Sequence, residues 1–253
     1  MSLHLIEPDL GRISGGAAFN RALAEAAGSQ IVLHSVPGYW AEPGPAESVA
    51  VHDLLAAVAG PVLLDGLIAT ALPEVMTDPG DANRTEQGSP ILLIHCLADA
   101  DDNAGRDRER QVISAVPAVI TTSRFTAAGL ESRYGIRAEA AVPGNPARPQ
   151  SSGGGGAHFV CIGAIEENKG QLLIAEALTE LMSGGPARSD DRTQDEATAE
   201  QPWRVTFAGP LTDADYGRRL QAACRDLPAG RADVVGGLSP DEVGALYSNA
   251  DLL

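Results

Sequence analysis

Residues 158–181, HFVCIGAIEENKGQLLIAEALTEL, constrain this chain more than any other stretch. Phe159-Val160-Cys161-Ile162 is an apolar run with the length and β-branched content of a buried strand. Gly163 ends the run, Glu166-Glu167-Asn168 form a polar turn, and Lys169-Gly170 stand at the mouth of a helix. That helix is apolar at Leu172, Leu173, Ala175, Ala177, Leu178 and Leu181, which is a helical face and not an alternating one. A strand, a glycine turn, a cation and a helix N-terminus together bring backbone N–H groups and positive charge to one place, where an anion can be held. Lys169 is also the only lysine in the chain; the other charged cations are arginines. A compact ammonium with three rotatable donors suits a diphosphate that moves or departs better than a planar guanidinium does. Position and uniqueness leave two readings open, an anion site or an ordinary surface helix start.

The same strand–loop–helix pattern opens the chain. A strand over 3–7 is followed by PDLGRISGG and the helical AAFNRALAEAA. The glycines fall as G-x-x-x-G-G, so the dinucleotide pattern G-x-G-x-x-G is absent. The strand over 31–36 ends without an acidic residue to hold a ribose, which counts against a nicotinamide-dependent dehydrogenase or epimerase. Gly15 and Gly16 at the helix start would let a phosphate or sugar approach the backbone, or would simply make a tight turn.

The alternation continues: a helix over 48–59, a strand over 61–66, a helical piece over 67–76, a strand over 91–95, a charged helix from about Arg106, a strand over 118–121, and a helix over 124–134 capped by Ser123. A last strand lies around Ala140-Ala141-Val142. Strands alternating with helices predict a parallel sheet covered on both faces. His95 falls at the carboxyl end of its strand, where open α/β sheets place ligand groups and where an imidazole can orient or receive a proton near neutral pH. A hydrogen-bonded structural histidine is the alternative. Asp65 reads mainly as a cap on the turn into Gly66.

Ser151-Ser152 and four consecutive glycines mark the domain boundary. The expected organisation is an N-terminal domain over 1–149, a flexible linker over 150–157 and a second domain over 158–253. Residues 183–201 are polar, acidic and aperiodic, and read as a disordered insertion. Strands follow at 203–208 and 232–235, with a helix near 216–226 carrying Leu220 and Cys224 at i, i+4. Ser239-Pro240-Asp241-Glu242 opens a further helix, and the chain stops at Leu253 inside what reads as the next strand.

A formal net charge of −16 argues against nucleic acid, whose phosphates require a basic face, and against docking on anionic lipid. No apolar run approaches the roughly 20 residues of a spanning helix, and no basic-then-apolar leader opens the chain. Cys96, Cys161 and Cys224 are odd in number and far apart. They read as reduced core thiols of a cytoplasmic protein, with no metal-ligand spacing.

Taken together, these residues resemble a retaining glycosyltransferase of the GT-B type, family 4 (group 1). GAIEENKGQ looks like that family's phosphate turn, TFAGP like its next strand and glycine end, and residues 234–253 like its "G-x-[LV]-[ST]-x-[DE]-E-[LV]-x-x-L-Y-x-x-A-D" segment. GRISGG, LLDGLIATALPEV, LLIHCLAD, ITTSRFTAAGL and VPGNPARP match further stretches in order. The resemblance implies an α/β fold of two Rossmann-like domains with a nucleotide-sugar in the cleft between them, the second domain incomplete. It implies that Gly15, Gly16 and Gly163 approach the donor diphosphate, that Lys169 neutralises the diphosphate as it leaves, and that His95 stands near the transferred sugar. Gly209, Val235 and Gly236 would meet the nucleotide. The implied reaction is hexosyl transfer to an unknown acceptor with retention and without metal or other cofactor.

Three departures stand out. The family's arginine at the phosphate turn is Ala164, its histidine pair is His95-Cys96, and its E-x7-E motif would fall beyond Leu253. A nucleotide- or sugar-phosphate-binding module without transfer is therefore the alternative.

Overall fold

Each central strand of the first half carries two adjacent apolar residues that face opposite ways, because successive side chains of a strand alternate. Ile6, Leu64 and Leu92 join one buried cluster with Trp40, Val51, Ile68, Val112 and Leu130. Leu5, Leu63 and Leu93 join a second, with Phe19 and Leu23 packed against it. A sheet buried on both faces is the result, as continuous apolar strands require. The computed structural model describes residues 2–12, 14–40, 42–77, 89–144, 147, 150–153, 155, 157–183 and 203–252. The chain divides into two units, Met1–Asn145 and Pro146–Leu253.

In the first unit the strands are β1 (Leu3–Asp9), β2 (Ile31–Pro37), β3 (Val62–Asp65), β4 (Ile91–Ile94), β5 (Val119–Thr121) and β6 (Glu139–Ala140), all parallel in the order β2-β1-β3-β4-β5-β6. The helices are α1 (Gly15–Ala27), α2 (Pro45–Ala57), α3 (Gly66–Ala71), α4 (Glu74–Thr77), α5 (Asn103–Ser114) and α6 (Arg124–Tyr134). The helical piece expected over 67–76 is two helices, α3 and α4. Pro73 keeps Leu72 out of the helical region, at φ −128° and ψ 65°, and so breaks it.

The second unit contains β7 (His158–Ile162), β8 (Arg204–Ala208) and β9 (Ala232–Val235), parallel in that order. On the other side of β7, Leu252 forms a parallel bridge with Phe159. Helices α7 (Gln171–Met182), α8 (Ala214–Asp226) and α9 (Pro240–Ser248) accompany them, and Leu172, Ala175, Phe207, Tyr216 and Leu220 form the core. Ser239 caps α9, as its sequence predicts, and Glu242 folds back onto the cap.

The glycine-rich stretch expected as a free linker is in its described part fastened to this unit. Ser151 Oγ donates to Ala250 O at 2.7 Å, and the Asp251 carboxylate accepts from the N–H groups of Ala157 at 3.0 Å and His158 at 2.9 Å. The polar stretch over 184–201 and the loop over 78–88 lie outside the described residues. All three cysteines are free, but Cys96 is exposed and so is not a core thiol. Among the described residues, no helix is long and apolar enough to cross a membrane.

Candidate functional site

The chain passes from β2 on one side of β1 to β3 on the other, so the carboxyl ends of β1 and β3 flank a topological switch point, where open α/β sheets bind ligands. A cavity of about 360 Å³ lies there, lined by residues that include Glu7, Asn20, Asp65 and His95. Its polar wall follows from strand alternation. Leu5, Leu63 and Leu93 share one buried face, and two residues beyond each comes Glu7, Asp65 and His95. Leu5 pairs with Leu63 and Leu63 with Ile91, which sets the three strand ends side by side. Helix α1 packs on that face through Phe19 and Leu23 and brings Asn20 to the same wall.

Asn20 Nδ2 donates to Glu7 Oε2 at 2.9 Å and to Asp65 Oδ2 at 3.2 Å. Ser35 Oγ donates to Glu7 Oε1 at 2.8 Å, and Leu67 N–H to Asp65 Oδ1 at 2.9 Å. Asp65 therefore caps α3, as expected, but its second oxygen faces the cavity group. His95 Nε2 stands 3.3 Å from that oxygen without hydrogen-bond alignment, and neither it nor Asn20 Oδ1 has a hydrogen-bond partner among the described residues. The His95 ring meets the edge of Phe19 at 5.5 Å between centroids. A Cβ at Gly16 would come within 3.2 Å of His95 Cδ2, so the absent side chain gives the imidazole its place. Gly16 and His95, separate in the sequence reading, are thus neighbours. Gly15 is the exposed first residue of α1, and Ser14 Oγ accepts from Ala17 N–H at 3.1 Å.

Glu109, buried at the cavity wall, accepts from the Tyr134 hydroxyl at 2.6 Å and from Ala98 N–H at 3.0 Å. Burial, and then this carboxylate, push the Tyr134 hydroxyl above its ordinary range.

In the second unit Gly163, Gly209 and Gly236 each follow a strand and converge at the carboxyl edge of the small sheet. Gly163 N–H donates to Ala208 O at 2.9 Å, and Gly209 N–H to Gly236 O at 3.2 Å and, more weakly, Val235 O at 3.4 Å. Gly209 has φ +155°, and any Cβ there would overlap the Gly163 carbonyl oxygen, so only glycine fits. Lys169 ends a 3-10 turn, Glu167–Lys169, is exposed, and runs its aliphatic stem past Gly163. Gly170 turns the chain at φ +69° and has no side chain to cap α7, where the Tyr216 hydroxyl instead accepts from Leu172 N–H at 2.8 Å. Gln171, fully buried, donates from Nε2 to Ala164 O at 2.8 Å and so holds the turn.

The sequence reading missed Glu7, Asn20 and Gln171 and gave Asp65 only its capping role. The signal for the first unit was present as Leu-x-Glu, Leu-x-Asp and Leu-x-His at three strand ends. Among the described residues, no group of three or more His, Cys, Asp or Glu side chains is arranged to hold a metal ion.

No protein-family model matches the chain. No curated protein matches it either. Among solved structures, apo UGT2 of Phytolacca americana is similar to it at a TM-score of 0.45 and 11% identity, covering 100% of this chain and 76% of that one.

Proposed function

We propose that the chain is a glycosyltransferase of the two-domain GT-B kind, moving a sugar from a nucleoside-diphosphate sugar to an acceptor with retention. The observation that carries the reading is the convergence of Gly163, Gly209 and Gly236 beside Lys169 at the start of α7. Gly209 packs the turn closed from beneath, so a diphosphate can approach over the exposed Gly236 and the half-exposed Gly163, and the ammonium can neutralise charge as the diphosphate departs. In this reading Val235, Gly209 and Gly236 meet the nucleotide, and Gly15 and Gly16 offer backbone N–H groups at the exposed start of α1. His95, set beside Asp65, orients or receives a proton near the transferred sugar. Cationic and helix-terminal groups take the electrostatic role, so the proposed transfer needs no metal.

Calorimetric titration with UDP and GDP, without metal, tests the donor side. Lys169→Ala should weaken binding by about 1.5–3 kcal/mol, the scale of a hydrogen bond to a charged group. An unchanged affinity removes Lys169 from the donor site. A second reading, nucleotide binding without transfer, draws on Ala164 standing where the resembling family has arginine. Binding with no turnover in a nucleotide-sugar hydrolysis and transfer screen would favour it.

A further inference from the structure

Asn20 is fully buried, and its amide orientation is dictated by charge. Nδ2 must face Glu7 Oε2 and Asp65 Oδ2, because the flipped amide would set an oxygen against two carboxylates. Oδ1 is consequently an acceptor with no partner among the described residues, on a side chain that lines the cavity. Beside it stand more acceptors, Glu7 at 5% and Asp65 at 4% exposure. No lysine or arginine is among the cavity's lining residues, and His95 is the one side chain there able to carry positive charge. Glu109 is already satisfied by Tyr134 and Ala98. Buried carboxylates are costly unless a cation joins them.

We propose that this cavity takes its ligand through a protonated primary amine on a small polyhydroxylated molecule. The ammonium presents three donors and a full positive charge: Asn20 Oδ1 has no donor among the described residues, and each oxygen of Glu7 and Asp65, though it already accepts one hydrogen bond, has a second lone pair and a charge that its neutral donors Ser35, Asn20 and Leu67 leave uncompensated. A phosphate would bring like charge to this wall, and a neutral hydroxyl would supply a donor without the compensating charge. The volume of about 360 Å³ falls at the small end of the roughly 300–1,000 Å³ usual for ligand pockets, which suits one ring. Naming this ligand as the acceptor rests on the proposed transfer; the amine site itself rests on the cavity alone.

The test is calorimetric titration of the full chain with D-glucosamine, D-glucose and N-acetyl-D-glucosamine at about pH 6.5, below the ordinary range of an aliphatic amine. Glucosamine should bind at least tenfold more tightly than the other two, and Asp65→Asn should abolish the preference. That variant keeps the shape and an oxygen for the Leu67 N–H; Glu7→Gln serves if circular dichroism shows it unfolded. Equal binding of glucose and glucosamine, no binding of glucosamine, or a preference that survives both variants overturns the amine site. The UDP and GDP titration judges the transfer reading separately, so the two can fail independently.

Discussion

Two glycine turns at helix starts, Gly15-Gly16 and the run from Gly163 to Gly170, look alike in sequence and sit in opposite chemistry. In the first unit Ser14 caps the helix, and the wall below is buried acid and amide: Glu7, Asp65 and Asn20. In the second unit the residue before the helix, Gly170, has no side chain to cap it, the backbone of three strand ends stacks closely, and the one cation is an exposed lysine in a turn that also carries Glu166 and Glu167. The strand–glycine–helix pattern says where a ligand can approach. What it can be is decided by side chains two residues past the buried apolar positions, or by their absence.

The comparison breaks most sharply at Gly209. Gly209→Ala should destabilise the second unit by about 4 kcal/mol, since its Cβ overlaps a backbone carbonyl that no side-chain rotation can relieve. Hydrogen exchange should show β7 to β9 losing protection while β1 to β5 keep theirs; loss across both units would mean that the first depends on the second for its fold. Asn20→Leu comes next, at about 3 kcal/mol and confined to the first unit, because it leaves Glu7 and Asp65 facing each other without their shared donor. Adding Glu7→Gln should recover part of that loss. If it recovers none, the cost lies in packing and not in the carboxylate pair.

Much of the scaffold was legible in the sequence and much of the first cavity was not. The strands over 61–66 and 91–95 announce themselves because buried parallel strands are continuous apolar runs, and Ser123 and Ser239 announce their helices because capping chemistry is local. The Lys169 turn is a contiguous motif for the same reason. Glu7, Asn20, Asp65 and His95 come from four elements, and only sheet order makes them neighbours. A single acid after a strand has a sufficient local explanation, so Asp65 read as a cap, which it is, and its second role waited on the fold. The break at Pro73 was readable and was passed over because the apolar spacing continued across it.

A smaller effect separates the cysteines. Cys96 is exposed at the first cavity, whereas burial, and then Asp233, push the Cys224 thiol up to about 11, and burial also raises Cys161. Iodoacetamide at about pH 8 should therefore label Cys96 first and the second unit's two thiols far more slowly, since the thiolate is the reacting form. Comparable rates at all three, read by peptide mass spectrometry, would mean that the second unit opens on the labelling timescale.

The smallest expected effect tests what the two units share. Glu47 accepts from the N–H groups of Tyr39 at 3.1 Å and Gly44 at 2.8 Å, at the start of α2; Glu242 accepts from Ser239 N–H and Oγ, both at 2.7 Å, at the start of α9. Tyr39 and Gly44 N–H groups hold Glu47 below the ordinary 4.5, and the Ser239 hydroxyl and N–H do the same for Glu242. A carboxyl with a depressed folded pKa binds its proton more readily unfolded, so its stabilisation is present above the unfolded value and fades as pH falls through the folded one. Protection of the first-turn amides of α2 and α9 should therefore fall together as pH drops below 4.5, and Glu47→Gln or Glu242→Gln should each remove that dependence at its own helix only. If one helix start proves insensitive to acid, that carboxylate does not hold its cap in solution. If both respond alike, the two scaffolds are closed by the same device, and the difference between the units lies in their strand ends.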